Sequence, residues 1–343
     1  MENIRKALVQ SSWGYKLLAL FFLSLLLYPF IITNPYWINL MITVLMFVAL
    51  GQSWNWLGGY AGQISFGQAA FFGLGAYTST VLLIRFHVNP WIGMGAGAVV
   101  AVAVAFVIGY PVFRLKGHYF AIATIALGEI VRIAFDNWKV VGGASGLELP
   151  LLRSSLLNFE FVSKVPYYYI ALALALVAYG VTFWIEHSRL GYYLRAIKED
   201  ADAARSLGIN LTRYKFAALM LSAMMAAIMG TFHAQYYLFI DPPSTMGLDL
   251  SILISLVAVI GGVGTFWGPL VGAFVLIPIS ELTRSFLGGS GQAYNLILYG
   301  GLIIAVAVLQ PGGLWALFQR LGKREVSGPM PPAPKKEESH AAP

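Results

Sequence analysis

The chain carries a succession of almost uncharged apolar runs, most of them close to the ~20 residues that an α-helix needs to cross a bilayer. These runs cover residues 17–33, 36–56, 64–84, 91–110, 119–135, 166–185, 216–239, 250–280 and 293–309. Because only 11% of the 343 residues are charged and 58% are hydrophobic, a soluble fold could not cover its surface with polar groups. The sequence therefore predicts an all-α, polytopic integral membrane protein.

The run 250–280 is too long for one ordinary crossing. As a single helix it would span about 46 Å at 1.5 Å per residue, against a hydrocarbon core of about 30 Å. Gly261, Gly262, Gly264 and Pro269 interrupt it near the middle. We therefore expect two short or tilted helices here, which brings the total to about ten crossings, with short or broken helices near the glycine-rich segments.

The basic residues predict the orientation of the bundle. With loop 186–215 in the cytoplasm, six crossings precede the loop and four follow it, so both termini are cytoplasmic. Of the 22 Lys and Arg residues, 16 then lie inside, 5 lie outside and Arg132 lies in the membrane, as the positive-inside rule expects. The predicted organisation is a cytoplasmic N-terminal tail (1–16), a transmembrane domain (17–310) and a cytoplasmic, disordered C-terminal tail (311–343).

Several chemistries are not indicated by the sequence. The net charge of +7 forms no basic face with interleaved aromatic residues, so it does not predict nucleic-acid binding. The chain has no cysteine, and His87, His118 and His233 have no neighbour at metal-ligand spacing, so no metal site or cofactor is expected. No G-x-x-x-x-G-K-S/T run is present, so we expect no ATP hydrolysis by this chain, and we assign it no catalytic residue.

Loop 186–215 predicts one amphipathic helix over residues 189–207. The charged residues of this segment lie off its apolar stripe, and Gly208 supplies the helix stop. Its apolar stripe consists of Leu194, Ile197, Ala201, Ala204 and Leu207. Physical chemistry alone leaves two interpretations open: the helix docks into a groove of another protein, or it lies on lipid headgroups.

Five motifs follow one another along the chain. They are GYAGQISFGQAAFFGLGAY from residue 59, GHYFAIATIALGEIVRI from residue 117, GGASGL from residue 142, LGYYLRAIKEDADAARSLGIN from residue 190 and GGVGTFWGPLVGA from residue 261. Together they resemble the permease subunits of bacterial ATP-binding-cassette importers for branched-chain amino acids, and their spacing is most similar to the M-type subunit. The resemblance extends from about residue 50 to residue 310.

The resemblance implies a coupling function for the cytoplasmic loop. Asp202, Ala203, Ala204 and Gly208 are similar to the EAA-type loop through which such permeases contact an ATP-hydrolysing subunit, although Asp replaces Glu and the downstream Ile-x-Leu-Pro is absent. The candidate coupling residues are Arg195, Glu199, Asp202, Ala203, Ala204 and Gly208. The implied partners are a paralogous H-type permease subunit, two cytoplasmic ATPases that use the ATP, and an extracytoplasmic substrate-binding protein. The implied location is the inner membrane of a bacterium.

Uncharged polar residues in the third and fifth crossings are candidates for a translocation path. Polar groups that face lipid are costly, so such residues either line the path of a neutral aliphatic amino acid or join helices to one another. Aromatic neighbours supply apolar walls. The candidates are Gln63, Ser65, Phe66, Gln68, Tyr119 and Thr124.

Glu129 and Arg132 are the charged residues of the fifth run. Because they are three residues apart, they share one helical face and are expected to form an intramembrane ion pair that supports the helices without touching substrate. An isolated charge at the bilayer centre costs roughly 2.5–3.5 kcal/mol on insertion scales, so a partner or a wet cavity is expected for each.

Three alternatives to an amino-acid importer stay open. A permease of the same family could carry urea or short amides. An ion-coupled secondary transporter would need an intramembrane carboxylate, for which Glu129 is the candidate. The remote alternative is a rhomboid-like intramembrane serine protease, because residues 143–146 read G-x-S-G around Ser145 and His233 could act as base. The polar extracytoplasmic position of Ser145 disfavours the protease.

Overall fold

The structure, a computed structural model, describes residues 21, 23–115, 117–150, 155, 158–287, 300–301 and 313–316. Three predicted segments lie wholly or mostly outside the described residues. They are the tail 1–16, the crossing 293–309 except for two residues, and most of the tail 311–343.

The described residues form a chain of helices with little other regular structure. A π-helical turn (Trp56–Tyr60) continues directly from the helix Pro35–Asn55. Residues 23–31 are also helical. Strands β1 (Leu147–Glu148) and β2 (Phe239–Ile240) pair antiparallel. The helices are α1 (Pro35–Asn55), α2 (Gln68–Phe86), α3 (Pro90–Val112), α4 (His118–Asn137), α5 (Val165–His187), α6 (Arg189–Glu199), α7 (Ala201–Ser206), α8 (Leu211–Tyr237), α9 (Pro242–Met246), α10 (Leu248–Gly261) and α11 (Gly268–Leu287).

Within the described residues, seven helical segments are long and apolar enough to cross a membrane. Part of α11, Gly268–Thr283, forms a shorter apolar helix. The first predicted crossing lies partly outside the described residues, and the last lies almost wholly outside them. The prediction of an all-α, multi-pass membrane protein is confirmed, with ten as an approximate count. The seven are Pro35–Tyr60, Gln68–Phe86, Pro90–Val112, His118–Asn137, Val165–His187, Leu211–Tyr237 and Pro242–Gly261.

Three predicted boundaries can be compared with the structure. The predicted crossing 64–84 starts too early, because residues 61–67 form a non-helical loop and α2 begins at Gln68. The predicted crossing 119–135 ends too early, since α4 continues to Asn137. The predicted break in 250–280 is present: α10 ends at Gly261 and α11 begins at Gly268, with Gly262 at φ 132° and Gly264 at φ 75° in between. Glycine adopts these left-handed conformations more readily than other residues.

The helices α1 and α3 begin with the same local chemistry. The Asn34 side chain accepts a hydrogen bond from the Tyr36 N–H, and the Asn89 side chain accepts one from the Trp91 N–H, each at 2.9 Å. A proline occupies the first helical position in both cases, where its missing N–H costs nothing. These Asn-Pro pairs fix where the two crossings start.

The centre of the bundle is built on α1 and α2. Helix α1 packs against α5, α8, α10 and α11, while α2 packs against α3 and α8. A Cβ added at Gly75 of α2 would lie 2.0 Å from the Ala227 carbonyl oxygen of α8, and one added at Gly230 of α8 would lie 1.8 Å from the Phe72 carbonyl oxygen. The two backbones therefore touch at positions where any side chain would clash, which is the small-residue packing expected inside membranes.

Candidate translocation and coupling site

Loop A (residues 61–67) connects the π-helical turn to α2 and lies between α1 and α4. The Trp54 indole N–H donates to the Ser65 carbonyl oxygen at 2.6 Å. The Phe66 N–H donates to the Thr124 hydroxyl oxygen at 3.0 Å, and a Cβ added at Gly67 would lie 3.1 Å from the Thr124 carbonyl oxygen. These contacts attach the loop to both helices.

A small cavity borders the contact between loop A and α4. Its volume is about 30 Å³, which holds a water molecule but not an amino acid. Ser65 and Thr124 supply the hydroxyl groups among its lining residues, and the rest of the lining is apolar or glycine. A substrate path at this position would therefore require loop A or α4 to move.

Gln68, another path candidate, lies in the interior of the bundle. Its amide nitrogen donates to the Ser53 hydroxyl of α1 at 2.9 Å and to the Ser222 hydroxyl of α8 at 3.1 Å. The neighbouring Ala69 N–H donates to the Ser251 hydroxyl of α10 at 2.9 Å. The start of α2 is thus joined by hydrogen bonds to three other helices, a role that suits interhelical polar groups in membranes.

The remaining path candidates lie apart from the cavity. Gln63 is half-buried, and its amide donates to the Ala61 carbonyl oxygen at 3.5 Å. Tyr119 is 70% exposed at the start of α4. A transport role for any of the six stays a prediction. The structure brings three of the six together, namely Ser65, Phe66 and Thr124.

Loop B (residues 262–267) connects α10 to α11 and is held by the last turn of α1. The Asn55 side chain accepts a hydrogen bond from the Gly264 N–H at 2.8 Å and donates to the Thr265 carbonyl oxygen at 3.0 Å. The Gln52 amide donates to the Phe266 carbonyl oxygen at 2.9 Å. Because both amide side chains are fully buried, these bonds satisfy polar groups that would otherwise be costly inside the bundle.

Helix α4 carries a cluster of three charges on one side. Arg132 forms an ion pair with Glu129, and its Nη1 also donates to Asp136 Oδ2 at 2.8 Å. The sequence analysis missed Asp136 because the predicted crossing stopped one residue before it. The cluster has a net charge of −1 and is partly exposed, with 40% of the Glu129 side chain accessible. Charged side chains are energetically costly in lipid, so this face suits contact with protein or water better than contact with lipid.

The segment 189–207 contains two helices where the sequence predicted one. Asp200 adopts an extended conformation between α6 and α7, and its side chain caps α7 by accepting hydrogen bonds from the N–H groups of Asp202 and Ala203 at 2.9 and 3.0 Å. An aspartate at an N-cap stabilises a new helix start more than it stabilises the middle of a longer one. The prediction of a single helix over 189–207 is therefore wrong at residue 200.

Most of the predicted apolar stripe of this segment faces the chain's own interior. Ala204 is 3% exposed and lies in an apolar cluster with Ile197 and Leu211. The stripe residue Leu207 instead points outward with 82% of its surface exposed, and Tyr192 is 80% exposed. The sequence-based assignment of Ala204 to a docking surface is thus corrected: its side chain holds α6 and α7 against α8.

The other candidate coupling residues lie on the surface. Arg195, Glu199, Asp202, Ala203 and Gly208 are all exposed, so a partner could contact them directly. Their part in coupling stays a prediction.

The groups behind the protease alternative do not meet in the described contacts. Ser145 is exposed in a single 3-10 turn (Gly143–Ser145), whereas the His233 ring packs on Phe72 and Tyr237, with centroids 5.2 and 4.5 Å away. Across the described ranges, no group of three or more His, Asp or Glu side chains could hold a metal ion.

Sequence reasoning missed the polar residues in the last turn of α1. In the sequence, Gln52 and Asn55 are amide residues at the end of an apolar run. This pattern indicates buried hydrogen bonding. Glu186, in the last turn of α5, was also missed. Its Oε1 accepts hydrogen bonds from the Tyr60 hydroxyl at 2.8 Å and from Arg195 Nη2 at 3.0 Å.

The fold and these contacts define a multi-pass membrane protein in which the helix pair α6 and α7 is joined to glycine-rich loops of the bundle. Residues 36–307 match the family described as "Branched-chain amino acid transport system / permease component", and the chain belongs to that family. The resemblance inferred from the five motifs is confirmed.

Known relatives include LivM and LivH permease proteins. The chain is 29% identical over 324 residues to the high-affinity branched-chain amino acid transport system permease protein LivM of Salmonella typhimurium, covering 86% of this chain and 74% of that protein. It is 28% identical to LivM of Escherichia coli, covering 84% and 71% of the two chains. It is 26% identical to LivH of Salmonella typhimurium, covering 78% and 88%. No solved structure matches the chain.

Proposed function

We propose that the chain is the M-type permease subunit of an ATP-driven importer for branched-chain amino acids. The observation that carries the proposal is the family match over residues 36–307, joined to similarity with both a LivM and a LivH protein. In this proposal the chain acts in a bacterial inner membrane with both termini in the cytoplasm. It performs no catalysis and binds no cofactor, because the ATP is used by partner subunits.

The exposure of α4 supports pairing with a second permease chain. Only 11% of its most apolar stretch is buried, and the same helix carries the charged cluster of Glu129, Arg132 and Asp136. Lipid solvates charges poorly, so a face that combines isoleucines with charges suits an H-type permease and a path between the two chains. Loop A lies directly behind this face through its bond to Thr124.

The surface of α6 and α7 supports docking of an ATPase. Two large side chains of this surface are largely exposed, Tyr192 at 80% and Leu207 at 82%, and protein contact sites are enriched in aromatic residues such as tyrosine. A substrate-binding protein would deliver the amino acid at the opposite, extracytoplasmic end.

Uptake into proteoliposomes tests the proposed function. The chain is reconstituted with an H-type permease, the two ATPases and the binding protein, and uptake of labelled leucine is measured. We expect uptake that needs ATP, resists a proton ionophore, and is reduced by excess isoleucine or valine but not by urea or acetamide. Uptake that proceeds without ATP and collapses with the proton gradient would support the ion-coupled alternative instead. Competition by urea alone would favour the amide permease.

A charge at the exposed apolar position tests the docking surface. Leu207→Glu should reduce co-purification of the ATPases at least tenfold, because a carboxylate would be buried unpaired in the contact. Leu207→Met is the matched control, since it keeps an apolar side chain of similar size. Equal recovery of the ATPases with both variants would mean that docking does not use Leu207.

A further inference from the structure

The docking helix α6 makes direct contacts with the membrane-embedded part of the chain through one carboxylate. Glu186 Oε1, at the end of α5, accepts the Tyr60 hydroxyl at 2.8 Å and Arg195 Nη2 at 3.0 Å. The Arg195 guanidinium also lies 5.5 Å from the centre of the Tyr60 ring. Three elements, namely α5, α6 and the π-helical turn, therefore share one hydrogen-bonding centre.

Lys198 connects the same helix to both glycine loops. A Cβ added at Gly62 of loop A would lie 3.2 Å from Lys198 Cγ, and one added at Gly264 of loop B would lie 2.9 Å from Lys198 Nζ. Both glycines have positive φ, 68° and 75°, a backbone conformation that favours glycine. The lysine stem thus contacts loop A while its ammonium end reaches loop B.

The two loops carry these contacts into the bundle. Loop A continues to Phe66, whose N–H binds Thr124 of α4, and loop B is bound by Asn55 and Gln52 of α1. The π-helical turn connects α1 to loop A, and single π-helical turns are frequent at functional sites. An unbroken series of contacts therefore runs from α6 to α4.

We propose that Tyr60, Glu186, Arg195 and Lys198 form a junction that transmits displacement of α6 to loops A and B, and through loop A to α4. They act as positioning residues: they touch neither ATP nor substrate, and they set how much transport accompanies each ATP hydrolysed. This inference rests on the proposed function, because it needs an ATPase that moves α6. Helix α7 takes part only as the outer docking surface.

The ratio of leucine imported to ATP hydrolysed tests the junction in the reconstituted complex. Tyr60→Phe removes only the hydroxyl that binds Glu186, and Lys198→Met keeps the stem while removing the ammonium group. Each should lower the ratio at least threefold while the ATPases co-purify at normal levels. Tyr193→Phe is the matched control on α6, because its described contact is the packing of its ring on Tyr214, at 4.6 Å. This control should leave the ratio unchanged.

A double-mutant cycle separates a shared junction from independent effects. Tyr60 and Arg195 use the same carboxylate oxygen, so Tyr60→Phe combined with Arg195→Gln should lower the ratio by less than the product of the two single effects. Multiplicative effects, an unchanged ratio in the single variants, or loss of ATPase association in both would overturn the junction. Absence of ATP-driven uptake in the unmodified complex would instead refute the proposed function, so the two failures are distinct.

Discussion

Helices α1 and α4 are almost equally apolar and occupy opposite environments. Their most apolar stretches have mean hydropathies of 1.5 and 1.4, yet 83% of the first is buried inside the chain and 11% of the second. In α1 the polar side chains Gln52 and Asn55 bind backbone groups of loop B, whereas in α4 Glu129, Arg132 and Asp136 pair along the helix itself. Hydropathy thus indicates that a helix belongs in a membrane, while the partners of its polar groups indicate what surrounds it.

The largest expected effect is on α1. Asn55→Leu would leave the Gly264 N–H and the Thr265 carbonyl without partners, which should lower the free energy of unfolding by about 2–6 kcal/mol, at about 1–3 kcal/mol per buried group. Unfolding in mixed micelles measures this. On α4 the matched change Asn137→Leu removes one exposed bond to the Ile133 carbonyl and should cost less than about 0.5 kcal/mol. Similar losses in both variants would contradict the contrast between the helices.

Substitutions of different members of the charged cluster of α4 should lower the free energy of unfolding by different amounts. Arg132→Met leaves two carboxylates without their partner and should cost about 1.5–3 kcal/mol, the range for hydrogen bonds to charged groups. Glu129→Gln should cost less, because Arg132 keeps its bond to Asp136. Melting temperatures of the detergent-purified variants rank them. Removing Glu129 and Arg132 together would not be a neutral change, since Asp136 would lose its ion-pair partner; a triple variant with Asp136→Asn restores neutrality.

Glycine substitutions give a smaller contrast between the same two helices. In α1, a Cβ at Gly51 would lie 2.7 Å from Val257 Cγ1 and 3.2 Å from Pro269 Cβ, so Gly51→Ala should destabilise by about 1–3 kcal/mol through overpacking. In α4, a Cβ at Gly128 meets its first neighbour at 3.7 Å, an ordinary contact. Gly128→Ala should therefore be neutral or stabilise by up to about 1 kcal/mol from helix propensity. A larger loss at Gly128 than at Gly51 would reverse the comparison.

The smallest perturbation tests what covers α4. Because the chain has no cysteine, Ile122→Cys and Ile130→Cys introduce single thiols at positions that are 62% and 60% exposed. A membrane-soluble maleimide should label both in the isolated chain and neither after assembly with the H-type permease. Val99→Cys on α3 should be labelled in both states. Equal labelling of α4 with and without the partner would show that this helix faces lipid.

The sequence predicts the crossings well because apolar length is a local property. The break at residues 261–268 was also predictable, since glycine and proline interrupt helices wherever they occur. Loop A was hidden because Ile64 and Phe66 extend the apolar run through it. The orientation of the 189–207 stripe was not predictable either: amphipathicity indicates that one face is buried, but not whether the chain itself or a partner buries it.

The contacts of the candidate site were harder to predict from the sequence than the crossings, because they are not local. The bonds from Asn55 to loop B join residues 209 and 210 positions apart, so no local spacing encodes them. Asp136 was missed by one residue at a crossing boundary, the least certain part of any such prediction. The helix-packing contacts of Gln68 are made with two serines of other helices, which the local sequence does not indicate.

The long separation between Gln52 and its acceptor, 214 residues further along the chain, has a consequence for biosynthesis. At roughly 5–20 residues per second, the ribosome needs about 10–40 s to reach the acceptor after it has made Gln52. During that interval the two amide side chains of α1 are in the bilayer or the translocation channel without their final partners. Until loop B arrives, these amide groups need water, lipid headgroups or an insertion factor beside them, and the centre of this bundle is completed only after loop B has been made.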